Sequence, residues 1–326
     1  MKRAILYLAV LFVIGCHNQS LIDLPIDNPQ LVNSIDILSD STYFSEITSM
    51  KCYDSRVYAC CMSRSQILCL DNDLRLINTI GNKGKSESEL MDPSSIDINN
   101  DKIVVFNYGK FKYYDIDGEF IKSESVEQYI PNKNFVVHDG IYYSSNGTKF
   151  PMVAMMNNNY IGFGERYEFP TKIETNIKNS RFTLIEDNNI ITISDNLSYI
   201  EVYNKETLEL KDRIDYSNIK IVDKIVKKNS SEKLSINQYR PIVSCCDIDN
   251  SKLYILLSDK IKKLNTNKIL VFDVRQNYKP IKIIQLPGER YMSFCINNTT
   301  LYAYNTKLGS IEKFKINTKE KSEILR

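Results

Sequence analysis

One short pattern recurs six times along the chain and constrains its fold more than any other feature. In each copy an apolar run rich in β-branched and aromatic residues ends in a polar residue, and a turn follows. The six runs end at Asp71, Asp115, Asn157, Asn204, Asp273 and Lys315. The successive spacings are 44, 42, 47, 69 and 42 residues. The chain is therefore predicted to be a repeat protein with six units, one of which carries an insertion.

The clearest copy divides into four pieces of strand length. These are residues 95–98, 102–107, 112–114 and 120–123, and Asn, Asp and Gly residues occupy the turns between them. A four-stranded antiparallel meander at this period is typical of a β-propeller blade. A β-sandwich would lack units of equal length, and a parallel β-helix would repeat at roughly 20 to 25 residues. We predict an all-β fold, a six-bladed β-propeller of four-stranded antiparallel blades.

Closure of the ring requires a further strand from the N-terminal part of the chain. Residues 34–38, or alternatively 43–50, are well placed to pair with the last blade beside residues 301–304 and 311–316. We expect such a pairing because it is a common way to close a propeller.

The long spacing before Asp273 predicts one short helical insertion. The extra residues in this spacing correspond to residues 217–238. Apolar residues recur there at intervals of three and four, and Lys227 and Lys228 stand at the C-terminal end. We expect a helix that protrudes from the blade plane and flanks the channel entrance near Arg240. It would either cap the propeller rim or cover a ligand site.

The N-terminus has the pattern of a lipoprotein signal peptide. Lys2 and Arg3 precede an uninterrupted apolar run over residues 4–14, which is too short for a finished membrane span, and Gly15 and Cys16 follow at once. A small residue before such a cysteine is typical of a bacterial lipobox, in which the cysteine is acylated. We predict a signal peptide over residues 1–15 and lipidation at Cys16. An ordinary secretory signal is the alternative.

Three segments follow from this interpretation. They are the signal peptide, a lipid-anchored tether over residues 16–33 and a propeller domain over residues 34–326. A lipoprotein of this kind lies in a Gram-negative cell envelope, bound to the outer membrane by its anchor. No acidic cluster follows Cys16, which favours the periplasmic face.

Without Lys2 and Arg3 the chain has 40 basic and 40 acidic residues, and this neutral balance argues against nucleic-acid binding.

Two segments carry a resemblance to a known family. Residues 81–90, with the sequence GNKGKSESEL, and the DPSS that follows resemble the segment between blades in TolB-like six-bladed propeller lipoproteins. Residues 270–273, with 281–286, resemble a late blade of the same family. Lys85 and Leu90 stand where that family usually has Pro and Phe. The resemblance implies an envelope lipoprotein with a six-bladed propeller and no established activity.

The sequence offers few candidates for catalysis. The two histidines are His17, in the predicted tether, and His138, at a probable turn, where an exposed structural role is favoured over a general base. None of the common hydrolase, phosphate-loop or calcium-loop motifs occurs. We therefore predict no catalytic residues, no cofactor and no dedicated metal ligands, although scattered Asp or Glu residues on inner strands could hold a metal.

Seven cysteines remain after Cys16, and none forms a C-x-x-C pair. Cys60 and Cys61, and likewise Cys245 and Cys246, lie in strand-like runs, so adjacent side chains should point to opposite faces. We expect these cysteines to be small buried hydrophobic residues. A disulfide from Cys60 to Cys69 is a further possibility.

These observations favour a binding or scaffold module whose loops contact a protein partner or a small ligand. The absence of Trp argues against stacking on sugar rings, although Tyr can substitute. The alternative is a propeller hydrolase of the lactonase type, with carboxylates or a metal in the central channel.

Overall fold

A computed structural model of the chain describes residues 20–126, 131, 133–145, 149–157, 159–232, 238–259 and 265–317. The predicted signal peptide and Cys16 lie outside these residues. Two short strands, β1 (Ile26–Asp27) and β2 (Gln30–Ile35), come first. The first three blades consist of β3 (Ile47–Tyr53), β4 (Arg56–Cys61), β5 (Gln66–Leu70) and β6 (Leu76–Ile80); β7 (Ser95–Asn99), β8 (Lys102–Asn107), β9 (Lys110–Asp115) and β10 (Phe120–Ser125); and β11 (Phe135–His138), β12 (Ile141–Ser145), β13 (Met152–Met156) and β14 (Asn159–Phe163).

Two helices separate the remaining blades. Helix α1 (Lys172–Lys178) precedes the fourth blade, and helix α2 (Lys220–Ser231) precedes the fifth. The last three blades contain β15 (Arg181–Glu186), β16 (Asn189–Ser194), β17 (Tyr199–Asn204) and β18 (Leu210–Asp215); β19 (Val243–Asp249), β20 (Lys252–Asp259), β21 (Asn265–Asp273) and β22 (Lys279–Gln285); and β23 (Tyr291–Asn297), β24 (Thr300–Asn305) and β25 (Ser310–Lys315).

The strands form six sheets, each built as an antiparallel meander, which confirms the predicted six-bladed propeller. The first strand of every blade is innermost, and these strands contact one another in the order β3, β7, β11, β15, β19 and β23, with β23 returning to β3. They therefore surround the central axis. In the second blade the four strands overlap all four predicted pieces.

The repeated polar residue has a local structural reason. Each marks the end of the third strand of its blade, and several use the side chain to cap the turn that follows. Asp71 Oδ1 accepts hydrogen bonds from the backbone N–H groups of Asp73 and Arg75, both at 2.8 Å. Asp115 Oδ1 makes the same contacts with Asp117 and Glu119, at 3.0 and 2.9 Å. Such turns favour Asp and Asn, because their short side chains reach the backbone two residues further on.

The ring closes through an N-terminal strand, as expected, and this strand overlaps the predicted segment 34–38 at residues 34 and 35, whereas the alternative 43–50 extends into β3 of the first blade. Strand β2 pairs antiparallel with β25 and becomes the outermost strand of the sixth blade. Strand β1 adds a fifth strand, parallel to β22, to the fifth blade. The predicted tether over residues 16–33 is therefore wrong for its later part, and the propeller begins before residue 34. The sequence around these strands is polar and contains prolines, so it lacks the apolar pattern of an inner strand. It can still form strands at the edge of a sheet, because an edge strand needs only one buried face.

The apolar core lies between the blades. Cys60 and Cys61 pack into different clusters, as do Cys245 and Cys246, which confirms that adjacent cysteines face opposite sides of their blades. Cys60 and Cys69 are not directly opposite, since Cys60 pairs with Ile67 in the strand register, and both are free thiols.

Helix α2 confirms the predicted helical insertion, but α1 is a second helix that the sequence analysis missed. Val222 and Ile225 of α2 are buried in the cluster between the fourth and fifth blades. The apolar face of this helix therefore packs against these two blades. Helix α1 is only seven residues long, and its start is set by Thr171, whose Oγ1 accepts from the Glu174 N–H at 3.1 Å.

Candidate functional site

Charged side chains from three innermost strands meet near the axis. Lys51 Nζ lies 3.4 Å from Asp97 Oδ1, so the first blade is linked to the second. Lys51 also interacts electrostatically with Asp247 of the fifth blade. Burial would lower the pKa of Lys51, but the two carboxylates raise it above its ordinary value, so that the ammonium stays charged.

Both axial carboxylates also bind the backbone of the next blade. Asp97 Oδ2 accepts from the Val137 N–H at 2.8 Å, and Asp247 Oδ2 accepts from the Ile296 N–H at 3.0 Å. Burial raises the pKa of both acids, that of Asp247 to about 6. Carboxylates therefore do lie in the channel, as the hydrolase alternative requires, but their oxygens join neighbouring blades. Among the described residues no group of three or more His, Cys, Asp or Glu side chains could hold a metal ion.

A second charged cluster joins Asp195, which follows β16, to residues that precede β11 and β19. Lys133 Nζ lies 2.8 Å from Asp195 Oδ2, and the Tyr239 hydroxyl donates to the same oxygen at 3.4 Å. The Asp195 side chain is fully buried, and burial raises its pKa to about 6 against the opposing effect of Lys133. Arg240, where the channel entrance was expected, forms an ion pair with Glu232 just after α2.

The most deeply buried ionic group lies between the third and fourth blades. Arg181 forms an ion pair with Glu201, and their side chains are only 2% and 3% exposed. Glu201 Oε2 also accepts from the Tyr203 hydroxyl at 2.8 Å, and Glu201 Oε1 accepts from Arg213 Nε at 2.9 Å. Both oxygens of this carboxylate are thus occupied, and the group joins strands β15, β17 and β18 of the fourth blade. The sequence analysis did not single out these residues, because a charged residue on a strand gives no sign of its distant partner.

The cleft between the second and third blades has a different character. It has a volume of about 640 Å³ and a floor of apolar side chains that includes Val104, Val126, Val137 and Met155. This volume is within the range of small-molecule sites. Lysine, asparagine and tyrosine side chains at its rim could contact a bound molecule.

Glu124 is the centre of the polar groups in this cleft. One of its oxygens, Oε2, accepts from the Tyr113 hydroxyl at 3.0 Å and from the Tyr142 hydroxyl at 2.5 Å. Lys122 Nζ lies 2.5 Å from the other oxygen and 4.6 Å from the centre of the Tyr113 ring. Burial raises the pKa of Tyr142, so its hydroxyl remains a donor.

Two further features of the cleft determine what it could bind. The Tyr142 ring stacks on Phe111 with centroids 4.1 Å apart, which fixes this wall. Lys102 is exposed at the start of β8 and makes no ion pair with any described residue. Since the charge of Lys122 balances that of Glu124, Lys102 gives the cleft a net charge of one positive unit.

A larger cleft of about 910 Å³ lies between the fifth and sixth blades, beside β1. Several of its charged groups are already paired. Lys282 Nζ lies 2.8 Å from Asp27 Oδ2, and Asn317 donates to the other Asp27 oxygen at 3.0 Å. The Asp249 carboxylate accepts from the Asn298 N–H at 2.9 Å. These contacts attach β1 to the ring, so we regard this cleft as part of the closure.

Of the remaining candidates from the sequence, His138 is the one within the described residues, and its side chain lines neither cleft. His138 ends β11, and its Nε2 lies 2.6 Å from Lys205 Nζ and 3.1 Å from Asp139 Oδ2 at the hairpin surface. This position agrees with the structural role that the sequence favoured. Cys16 and His17 lie outside the described residues.

Comparison with known protein families agrees with this architecture. A family model for six-bladed β-propellers, DUF5128, matches residues 38–255, which is more than half of the chain. The chain belongs to this family. The match begins after β2 and ends in β20, so it spans the first four blades of this DUF5128 propeller and the start of the fifth.

Several solved structures have the same fold. One is a protein from Bacteroides fragilis NCTC 9343 whose name assigns it, by inference, to the exported proteins. It is 12% identical to this chain, with a TM-score of 0.61, and the match covers 92% of this chain and 100% of that one. A DUF4221 family member from Bacteroides vulgatus is 8% identical, with a TM-score of 0.55 and coverages of 89% and 97%. At these identities the similarity establishes the fold alone.

A protein of unknown function from Bacteroides caccae is 11% identical to the DUF5128 propeller, with a TM-score of 0.50 and coverages of 77% and 86%. None of the curated proteins matches the sequence. Over the residues that the structure describes, no helix has the length and apolar character needed to cross a membrane.

Proposed function

We propose that this protein is a lipid-anchored propeller of the TolB-like kind, which binds a small polar ligand in the cleft between the second and third blades. The observation that carries the proposal is the convergence of Glu124, Lys122 and two tyrosine hydroxyls over an apolar floor. Small-molecule sites commonly combine such a floor with a few fixed polar groups. The protein would be anchored through acylated Cys16 to the outer membrane, on the side that faces the periplasm.

The chemistry of the cleft favours a small hydroxylated carboxylate. Lys102 provides the unbalanced positive charge, and the amides of Asn100 and Asn157 line the rim, where they can bind hydroxyl groups. The Tyr142 ring is already stacked on Phe111, so recognition would use hydrogen bonds in place of ring stacking. This agrees with the lack of Trp in the chain.

The axial carboxylates support the hydrolase alternative less well. Asp97 and Asp247 each accept a hydrogen bond from a backbone N–H of the next blade, and both interact electrostatically with Lys51. A nucleophile or a water-activating base would need an oxygen that faces substrate.

Ligand binding can be tested with gluconate and its neutral analogue sorbitol, which differ at one carboxylate. We expect gluconate at millimolar concentration to raise the melting temperature, with a much smaller effect of sorbitol. Lys102→Ala should weaken gluconate binding roughly tenfold by calorimetry. Lys279→Ala, which removes an exposed lysine at the start of β22 in the other cleft, should leave it unchanged. Equal binding by both variants, or no binding to the wild type, would refute the proposal.

The anchor needs a separate experiment. Wild-type protein should partition into the detergent phase of a membrane extract, whereas Cys16→Ser should move to the aqueous phase because it cannot be acylated. Full membrane retention of Cys16→Ser would rule out the anchor.

A further inference from the structure

Two cysteines face each other across the seam where the propeller ring closes. Cys52 lies on β3 of the first blade, and Cys295 lies on β23 of the sixth. Their Sγ atoms are 2.7 Å apart, which is closer than two unbonded sulfurs pack. They are 243 residues apart in sequence, so no local pattern brings them together.

The surrounding contacts hold these two strands side by side. The Ser293 hydroxyl of β23 donates to the Ile47 carbonyl of β3 at 2.7 Å. Cys295 is fully buried in the cluster between the sixth and first blades, and Cys52 packs against the same cluster while remaining half-buried. A bond of about 2.05 Å requires only a small adjustment of the two side chains.

We propose that Cys52 and Cys295 form a disulfide that locks the first blade to the sixth. The edge pairings of β1 and β2 and the Ser293 hydrogen bond also help to close the ring, and a covalent link here would reinforce the seam between its first and last blades. The proposal is independent of the ligand cleft.

The reaction requires a disulfide oxidant, such as oxidised glutathione or a disulfide-carrying oxidoreductase of the cell envelope. The Cys52 thiolate, which is the more accessible, attacks one oxidant sulfur, forms a mixed disulfide and releases one thiolate. The Cys295 thiolate then attacks the Cys52 sulfur and releases the second. Each cysteine loses one proton, and the oxidant is reduced to two thiols. Burial raises the pKa of Cys295, so the second step should occur before the seam is fully packed.

Peptide mapping of the full chain tests the proposal directly. Protein refolded with oxidised and reduced glutathione is alkylated and digested with trypsin without reduction. Cleavage releases Cys52 in residues 52–56 and Cys295 in residues 291–307. We expect one cross-linked species made of these two peptides, which separates on reduction. Recovery of the two peptides singly alkylated, or of either joined to a different cysteine, would overturn the proposal.

Thermal unfolding with and without dithiothreitol provides a second measurement. Reduction should lower the melting temperature of the wild type by roughly 5 °C, because the bond closes a very long loop. Cys52→Ala should show no such difference between the two conditions, while Cys69→Ala, which removes a buried thiol of the first blade, should keep it. The same response to reductant in wild type and Cys52→Ala would contradict the disulfide.

Discussion

Removal of the Glu201 carboxylate should destabilise the propeller more than removal of any exposed acid. In Glu201→Ala the Arg181 guanidinium, 2% exposed, would lose the one carboxylate partner it has among the described residues and keep the Tyr203 hydroxyl and the Glu165 carbonyl. Breaking one side of a buried pair costs about 3–5 kcal/mol, because the remaining charge stays desolvated. Since a domain is stable by about 5–15 kcal/mol, this loss would be a large part of the total.

The cost can be measured by urea denaturation, followed by circular dichroism. Glu165→Ala is the matched control, since Glu165 also pairs with Arg213, at 2.5 Å, but its side chain is 58% exposed. Exposed pairs contribute at most about 1 kcal/mol. Combining Arg181→Met with Glu201→Leu should recover most of the loss, because it removes both buried charges. If Glu201→Ala and Glu165→Ala differed by less than about 1 kcal/mol, the reasoning from desolvation would be wrong.

Three further predictions follow from other parts of the ring. The pKa of Asp195 is raised from 3.8 to about 6, so its contribution to stability is complete below pH of about 4 and is lost as the pH rises to 6. Relative to wild type, Asp195→Asn should therefore gain roughly 3 kcal/mol in free energy of unfolding between pH 4 and pH 7; no gain would contradict the raised pKa. Ile225→Ala should cost about 2–4 kcal/mol in urea denaturation, because this α2 side chain is fully buried; a negligible cost would show that the helix is dispensable. Truncation through residue 35 should abolish the cooperative thermal transition by exposing the edges of β22 and β25, whereas truncation through residue 19 should preserve it; equal melting of the two proteins would mean that these strands do not close the ring.

Local physical chemistry made most of the architecture predictable. Apolar runs that end at residues such as Asp71 and Asp115 mark the third strand of each blade, because the carboxylate caps the next turn. Alternation along a strand placed Cys60 and Cys61 on opposite faces. The spacing of Val222 and Ile225 likewise indicated an amphipathic helix. Each of these signals depends only on residues a few positions apart.

The candidate site was not predictable in the same way. Glu124 lies on β10 and Tyr142 lies on β12 of the next blade, so their contact depends on how two blades pack. The N-terminal strands were misjudged for a similar reason, since β2 becomes a strand only by pairing with β25 near the other end of the chain.

The sequence by itself determined that the protein has six units, that each unit is a short meander, and that one unit carries a helix. Only the tertiary structure decided that charges such as Lys51 and Asp97 meet between blades, which strand closes the ring, and that Cys52 lies against Cys295. The physical reason is that repeat spacing and turn chemistry are properties of neighbouring residues. Contacts between blades join residues far apart in sequence, and no local pattern records the partner.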